Sequence, residues 1–247
     1  MAYFNGQGKV YVADRDASGN PGGFRFLGNV PDFKITIKTE GEDHKESQSG
    51  NRIIDAHIQK SKEVDAHFSI EEFSAKNIAM ALYGIDSTKT GAAVTAESLV
   101  VTTLAVNDYI RTKFPNISSV VVKDNASATL TLGTHYQMTS AKHGSMQILN
   151  LAAYVQPFKI DYTYATHSPV KLLSDVVKER YLRFEGLNVV DQSNVLVELY
   201  RMIVDPAENW EMINDAVASW PCNGNCMYDS TRFADTDLGG FGRLIQI

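Results

Sequence analysis

The sequence predicts a mainly β, antiparallel protein with two short helices, on three observations. Apolar and polar residues alternate with period two over residues 33–38, 52–59, 63–70 and 154–164, as in strands with one buried face. Clusters of Gly, Asn, Ser and Pro separate the runs and read as turns. Helix start signals stand out near Ser74 and at Asp205-Pro206.

Residues 10–13 (Val-Tyr-Val-Ala) form the first strand, followed by a dense turn cluster, Asp-Arg-Asp-Ala-Ser-Gly-Asn-Pro-Gly-Gly. Residues 24–27 return as its partner, so residues 9–28 read as a hairpin. Its Gly-rich turn is no phosphate loop, because no helix follows and no Gly-Lys-Ser/Thr is present. Phe33-Lys34-Ile35-Thr36-Ile37-Lys38 then begins the main sheet. A polar loop, Gly41-Glu42-Asp43-His44-Lys45-Glu46-Ser47-Gln48-Ser49-Gly50-Asn51, leads to two more alternating runs. In the first, Ile54, Ala56 and Ile58 share a face; in the second, Val64, Ala66, Phe68 and Ile70 do. A three-residue turn at Lys60-Ser61-Lys62 (or one of five) sets Ile58 opposite Val64 and Ile54 opposite Phe68. A two-residue turn would pair apolar with polar positions.

A short helix follows this third main strand. Ser69 with Glu72 is arranged for a capping box and Phe68 with Phe73 for a staple; alternatively Ser74 caps the helix directly. Ile78, Ala79 and Leu82 form its apolar stripe, and Gly84 is its C-terminal stop. Residues 85–150 are rich in Ser, Thr and Ala and read as an exposed, β-rich antiparallel excursion. Strands are expected over residues 98–106, 120–123 and 146–153, with a further element over 128–138 interrupted by Gly133. In residues 154–164, Phe158, Ile160, Tyr162 and Tyr164 share one face, and Pro157 marks an edge or bulge.

Residues 181–186 and 194–204 are long strands, the second strongly β-branched. Asp205-Pro206-Ala207-Glu208 combines an acidic cap, Pro at the first helical position and Glu three after the cap. With Trp210, Ile213 and Val217 facing one way, it predicts the second, C-terminal helix. Short strands around Met227 and Leu244 end the chain. Residues 1–247 together read as a single elaborated domain.

With 44% apolar and 21% charged residues in 247, the chain is long enough to bury a full core. No run of eighteen apolar residues exists, so no transmembrane helix or membrane anchor is expected. Met-Ala-Tyr-Phe-Asn-Gly at the start lacks a charged region before an apolar one, so no secretion signal is expected. A net charge of −6 argues against gripping nucleic acid by its phosphates, though not against letting it pass. Cys222 and Cys226 lack two further ligands for zinc, and read as free thiols around an Asn-Gly turn.

The enzymatic temptation is a pair of crossed contacts, Asp55 opposite His67 and His57 opposite Asp65. A histidine held by a carboxylate is half of an acid–base device. No nucleophile, metal set or calcium-loop order accompanies them, so cross-strand charge pairs on a solvated face are the simpler reading. No catalytic activity and no cofactor are expected.

The stretch FLGNVPDFKITIKTEGEDHKESQSGNRIIDAHI, continuing as VDAHFSIEEFSAKNIAMALYG, resembles the N-terminal half of phage major tail tube proteins of the siphophage type. Carrying the resemblance are a Gly-Asn turn into the first long strand, a His-Lys-Glu-Ser-x-x-Gly loop, a hairpin and an Asn-x-Ala-x-Ala-Leu-x-Gly helix. FKIDYTYA, VLVELYRMIVDPAENW and LGGFGRLIQI extend it more weakly toward the C-terminus.

The resemblance implies an antiparallel β-sandwich whose inner strands join a ring-wide β-barrel in a hexamer. Stacked rings would enclose the channel for DNA delivery in a virion tail, assembled in the host cytoplasm. DNA would pass without specific binding, and the tape measure, tail terminator and tail-tip proteins would be the other partners. Asp55, His57, Gln59, Glu63, Asp65 and His67 would then line the lumen as an acid-leaning ribbon, and residues 41–51 would reach the next ring. Two other readings are a β-sandwich carbohydrate-binding module, with Tyr3, Tyr11 and Tyr109 as exposed aromatics, and the tube of a contractile injection or secretion machine.

Overall fold

The computed structural model describes residues 3–99, 103–151 and 154–247. The chain is mainly β, with several antiparallel sheets and two short helices. In chain order the elements are β1 (Gly6–Asp14), β2 (Arg25–Phe26), β3 (Phe33–Lys45), β4 (Ile54–Ile70), α1 (Ala75–Ala81) and β5 (Ile85–Asp86). Next come β6 (Ala92–Ser98), β7 (Tyr109–Arg111), β8 (Ile117–Lys123), β9 (Tyr136–Ser140), β10 (Ser145–Ile148) and β11 (Lys159–Tyr164). The last are β12 (Val170–Lys171), β13 (Glu179–Asn188), β14 (Asn194–Val204), β15 (Trp220–Cys226), α2 (Ser230–Phe233) and β16 (Gly242–Gln246). No helix of the described residues is long and apolar enough to cross a membrane.

Two compact units divide the chain, one of residues 1–86 with 170–247 and one of Ser87–Pro169. In the first unit the strand order is β2-β1-β13-β14-β15-β4-β3. β14 lies between two neighbours on one side: β16 along Val195–Leu199 and β15 along Met202–Val204. The expected hairpin at residues 9–28 is present, with Tyr11 opposite Phe26, and the two long strands expected at 181–186 and 194–204 are β13 and β14.

The core of the first unit follows from period-two burial. Val10 and Val12 of β1, Leu182 of β13, and Met202 and Val204 of β14 share one cluster with Ala66, Phe68 and Ile70 of β4. Each fully buried large side chain is worth about 1.5–3 kcal/mol against exposure. β15 alternates buried and exposed from Trp220 to Cys226, so Cys222 and Cys226 point into this core. Both thiols are free, but Asn223-Gly224-Asn225 is strand and not the expected turn. Burial pushes their thiols up, Cys222 to about 12 and Cys226 to about 11.

The second unit has its own core. A sheet in the order β6-β11-β8 and one in the order β7-β10-β9 bury Val122, Met146, Ile148, Phe158 and Ile160. Residues 85–150 were expected as an excursion; β11, the alternating Lys159–Tyr164 strand, also falls in this unit. The expected strand at 120–123 lies within β8. The expected strand at 98–106 is not seen where described: β6 ends at Ser98, residues 103–106 are irregular, and residues 100–102 lie outside the described residues. Of the strand expected at 146–153, residues 146–148 are β10, and residues 152–153 lie outside the described residues.

Both helices correct or sharpen expectation. Ser74 caps α1 directly, its hydroxyl accepting from the Asn77 N–H at 3.3 Å, and the N–H of Gly84 closes the other end on the Ala79 carbonyl at 2.7 Å. The second helix is not at Asp205: residues 205–219 are irregular, and α2 forms instead at Ser230–Phe233 behind an Asp229 cap. Start signals alone do not carry so short a helix, which needs an apolar face to bury. Here Trp210 turns to Trp220 and Phe73, while Ile213 is 96% exposed.

Candidate functional site

The predicted site residues gather on the β3–β4 hairpin, an arm longer than the sequence reading allowed. The two runs at residues 52–59 and 63–70 are one strand, β4, and Lys60-Ser61-Lys62 is no turn. Gly41 to Lys45 belong to β3, so the tip loop spans residues 46–53. Beyond Ile37, almost every residue of the arm is exposed until Val64. β3 pairs with β4 alone, leaving its other edge open along its length among the described residues.

Register decides which side chains share a face. Phe33 pairs with Phe68, and the ladder runs regularly to Glu40 opposite Ser61. Gly41 then pairs with Gln59, so Lys60 is an extra residue, a β-bulge that reverses the alternation of β4. Ile54, Ala56 and Ile58 therefore do not continue the apolar face of Val64, Ala66 and Phe68 as expected. Ala56 and Ile58 pair with His44 and Glu42, on the face of Lys34 and Lys38. Gly41 has a local reason: a Cβ there would collide with the His57 imidazole. A second irregularity leaves Asp55 unpaired between His44↔Ala56 and Lys45↔Ile54.

The six lumen candidates are consequently divided. Glu63, Asp65 and His67 lie opposite Lys38, Thr36 and Lys34, on the side of the sheet away from the core. His57 and Gln59 lie on the face of Ile37 and Val64. The crossed pairs Asp55/His67 and His57/Asp65 do not form. Asp55 Oδ1 lies 2.6 Å from His44 Nδ1, and Asp43 Oδ1 2.6 Å from His57 Nδ1. His67 Nδ1 instead meets Asn223 Oδ1 at 2.8 Å, and Asp65 accepts from Lys38 Nζ at 2.8 Å. The physical cause is that β4 runs straight through residues 60–62, so Asp55 and His67 lie far apart along one strand.

The ribbon is charge-balanced at several positions. The Asp65 carboxylate raises the Lys38 pKa, through its hydrogen bond first and its charge second. Lys60, the bulge residue, pairs with Glu42. Such exposed pairs contribute little to stability and weaken with salt.

At the tip, Glu46 organises the loop. Its carboxylate accepts from the N–H groups of Gln48 at 2.6 Å and Ser49 at 2.8 Å, and from the Ser49 hydroxyl. The Ser49 hydroxyl and these N–H groups hold its pKa down at about 2. Gly50 and Arg52 take positive φ, which lets the chain turn back so that Ile53 accepts from the Glu46 N–H at 2.9 Å. Ser47, Gln48, Ser49, Gly50 and Asn51 are thus the tip, and Gly41, Glu42, Asp43, His44 and Lys45 the strand below it.

Among the described residues the hydrogen bonds of His44 and His57 run to Asp55 and Asp43, not to a hydroxyl or thiol, and the side chain of Ser49 is engaged with Glu46. In the second unit the Ser140 hydroxyl meets His143 Nδ1 at 2.7 Å, within one turn. Among the described residues no three His, Cys, Asp or Glu side chains group to hold a metal ion. What the arm does offer is an open strand edge and exposed apolar side chains, Ile37, Ile53, Ile54 and Ile58. Sequence reasoning expected long strands with open edges but did not assign the edge to β3. Gly41 facing a β4 run crowded with polar residues was the available signal for a bulge rather than a turn.

No curated protein matches the chain. A family model described as "Protein of unknown function UCP028589" matches residues 3–245, and by that match over nearly its whole length the chain belongs to this family.

Proposed function

We propose that the chain is the major tube subunit of a phage tail, a structural virion protein without enzymatic activity. In this reading the first unit is a β-sandwich. Copies close edge to edge into a hexameric ring with a shared inner β-barrel, and rings stack around the channel for DNA. The observation that carries it is the open edge of β3, thirteen residues long, on an arm that projects from its sheet.

An exposed edge of that length is an aggregation hazard unless another chain covers it, and ring closure removes it. Exposed Ile37, Ile53, Ile54 and Ile58 would gain cover in the same step. The net charge of −6 suits a wall that must not hold a polyanion. The tip loop, residues 46–53, would reach the next ring, and the tape measure, terminator and tail-tip proteins would meet the tube inside and at its ends.

Negative-stain microscopy of concentrated protein tests the reading. Six-fold rings or tubes are expected. A protein that stays monomeric at millimolar concentration and over a range of salt overturns it.

A further inference from the structure

Between β1, β2, α1 and β5 lies a cleft of about 250 Å³, all of whose lining belongs to the first unit. Its walls are charged: Arg25, Lys76, Lys178 and Arg180 face Asp14, Asp86 and Asp175. Two of these carboxylates are engaged. Asp14 accepts from Arg180 Nη1 at 2.7 Å, and Asp175 from Lys178 Nζ at 2.6 Å.

Arg25 is different. It is half-buried, yet its contacts are to neutral atoms: Nη1 donates to Asn77 Oδ1, and Nη2 stands 3.9 Å from Met80 Sδ. Asn77 is 1% exposed and cannot turn away. Its Nδ2 donates to the carbonyls of Leu27 at 2.9 Å and Glu72 at 3.0 Å, which fixes its oxygen toward Arg25. Burial first, and then the charge of Arg180, lower the Arg25 pKa against the opposing charges of Asp14 and Asp86, so two guanidinium groups share one cleft. A guanidinium carries five N–H donors, and the contacts to Asn77 and Met80 use two.

We propose that this cleft binds a small monocarboxylate, held by Arg25 and Arg180. The planar guanidinium fork matches a carboxylate in shape and charge. Four cations against three carboxylates leave a single positive charge, which a monoanion neutralises. A dianion such as phosphate would overshoot it and meet repulsion from Asp14, Asp86 and Asp175. The site is independent of ring formation and requires no neighbouring copy.

The test uses acetate, titrated at pH 7 and constant ionic strength into full-length protein, with the arginine Nε–H resonances as readout. Saturating shifts at Arg25 and Arg180 are expected, with a Kd on the order of 1–10 mM, and phosphate should bind about tenfold more weakly. Arg25→Gln should abolish the shift at Arg180. Because that change also releases Asn77, Asp86→Asn serves as the second variant. Asp86 is exposed and makes no ion pair among the described residues, so its loss spares the fold and should tighten acetate about threefold. Shifts no larger than chloride produces, phosphate binding as tightly as acetate, or an unchanged Kd in Asp86→Asn would each overturn the proposal.

Discussion

Gly41 pairs with Gln59, one residue beyond the partner that the ladder from Phe33↔Phe68 to Glu40↔Ser61 prescribes. That single step decides which side of the arm carries Ile58 and which carries His57. It also makes the arm testable without touching the core.

Inserting one Ser after Glu40, opposite Lys60, should restore an unbroken ladder and exchange the faces of residues 56–59. Lys60 is exposed at the backbone bulge, and among the described residues its only ion pair is with Glu42. The change should therefore move stability by no more than about 0.5 kcal/mol, as for other surface changes. Self-assembly, which under the tube reading depends on what the arm presents, should be lost. Thermal unfolding beside sedimentation reads both. Normal assembly of the insertion would show that the reversed face is not used.

A second prediction concerns acid. Arg15, its side chain 6% exposed, binds Asp229 at 2.6 Å and Glu179 at 3.3 Å, and Arg201 holds Glu179 at 2.6 Å. The Arg201 hydrogen bond is the largest cause holding Glu179 below its ordinary 4.5. At Asp229 burial pushes up, and the Thr231 hydroxyl with Arg15 and Arg232 outweighs it, leaving the carboxyl below its ordinary 3.8. Depressed carboxylates stabilise above their unfolded values and lose that contribution as pH falls through the folded ones. Stability should thus fall below about pH 4.5, and Arg15→Ala should cost about 1–3 kcal/mol at pH 7, because buried Asp229 loses its 2.6 Å partner while keeping Thr231 and Arg232. Urea unfolding at pH 7, 5 and 3 measures it. A wild-type curve flat across that range would exclude the mechanism.

The third prediction is that residues 87–169 fold when excised. The segment is contiguous and closes its own core, and its ends meet where the Ser87 N–H donates to the Pro169 carbonyl at 3.2 Å and Lys89 bridges His167. Asp86 pairs with Val170, so a two- or three-residue Gly/Ser bridge spans the gap left behind, about 5 Å between Cα atoms. Dispersed amide spectra are expected from both pieces. Phe158→Ala, removing a fully buried ring, should cost the isolated segment about 3–5 kcal/mol and abolish its dispersion.

Where strands carry apolar side chains into a core, the sequence was readable. Residues 33–38, 63–70, 181–186 and 194–204 are all strand, because apolar side chains there meet a core whose period they match. The arm was misread because its distal half buries nothing. With no core to report on, alternation at Ile54, Ala56 and Ile58 carried no information about which face was inside, and the bulge at Lys60 erased the phase. Asp205-Pro206 failed for a related reason, since local start signals were real but Ile213 and Val217 had nothing to cover them. The charged cleft escaped notice because Arg25, Asp86 and Arg180 are far apart in sequence and ordinary one by one.

The interrupted course of the first unit sets an order of events during synthesis. β1 finds its second partner in β13 and β4 finds its second partner in β15, both of which leave the ribosome after the whole second unit. The second unit needs only its own strands and can close while the first is half made. Until Trp220–Cys226 emerges, Ala66, Phe68 and Ile70 have no cover from that strand, and the nascent chain carries a finished module beside an unfinished, sticky one. A strand made after the second unit, not one made before it, therefore closes the core of the first.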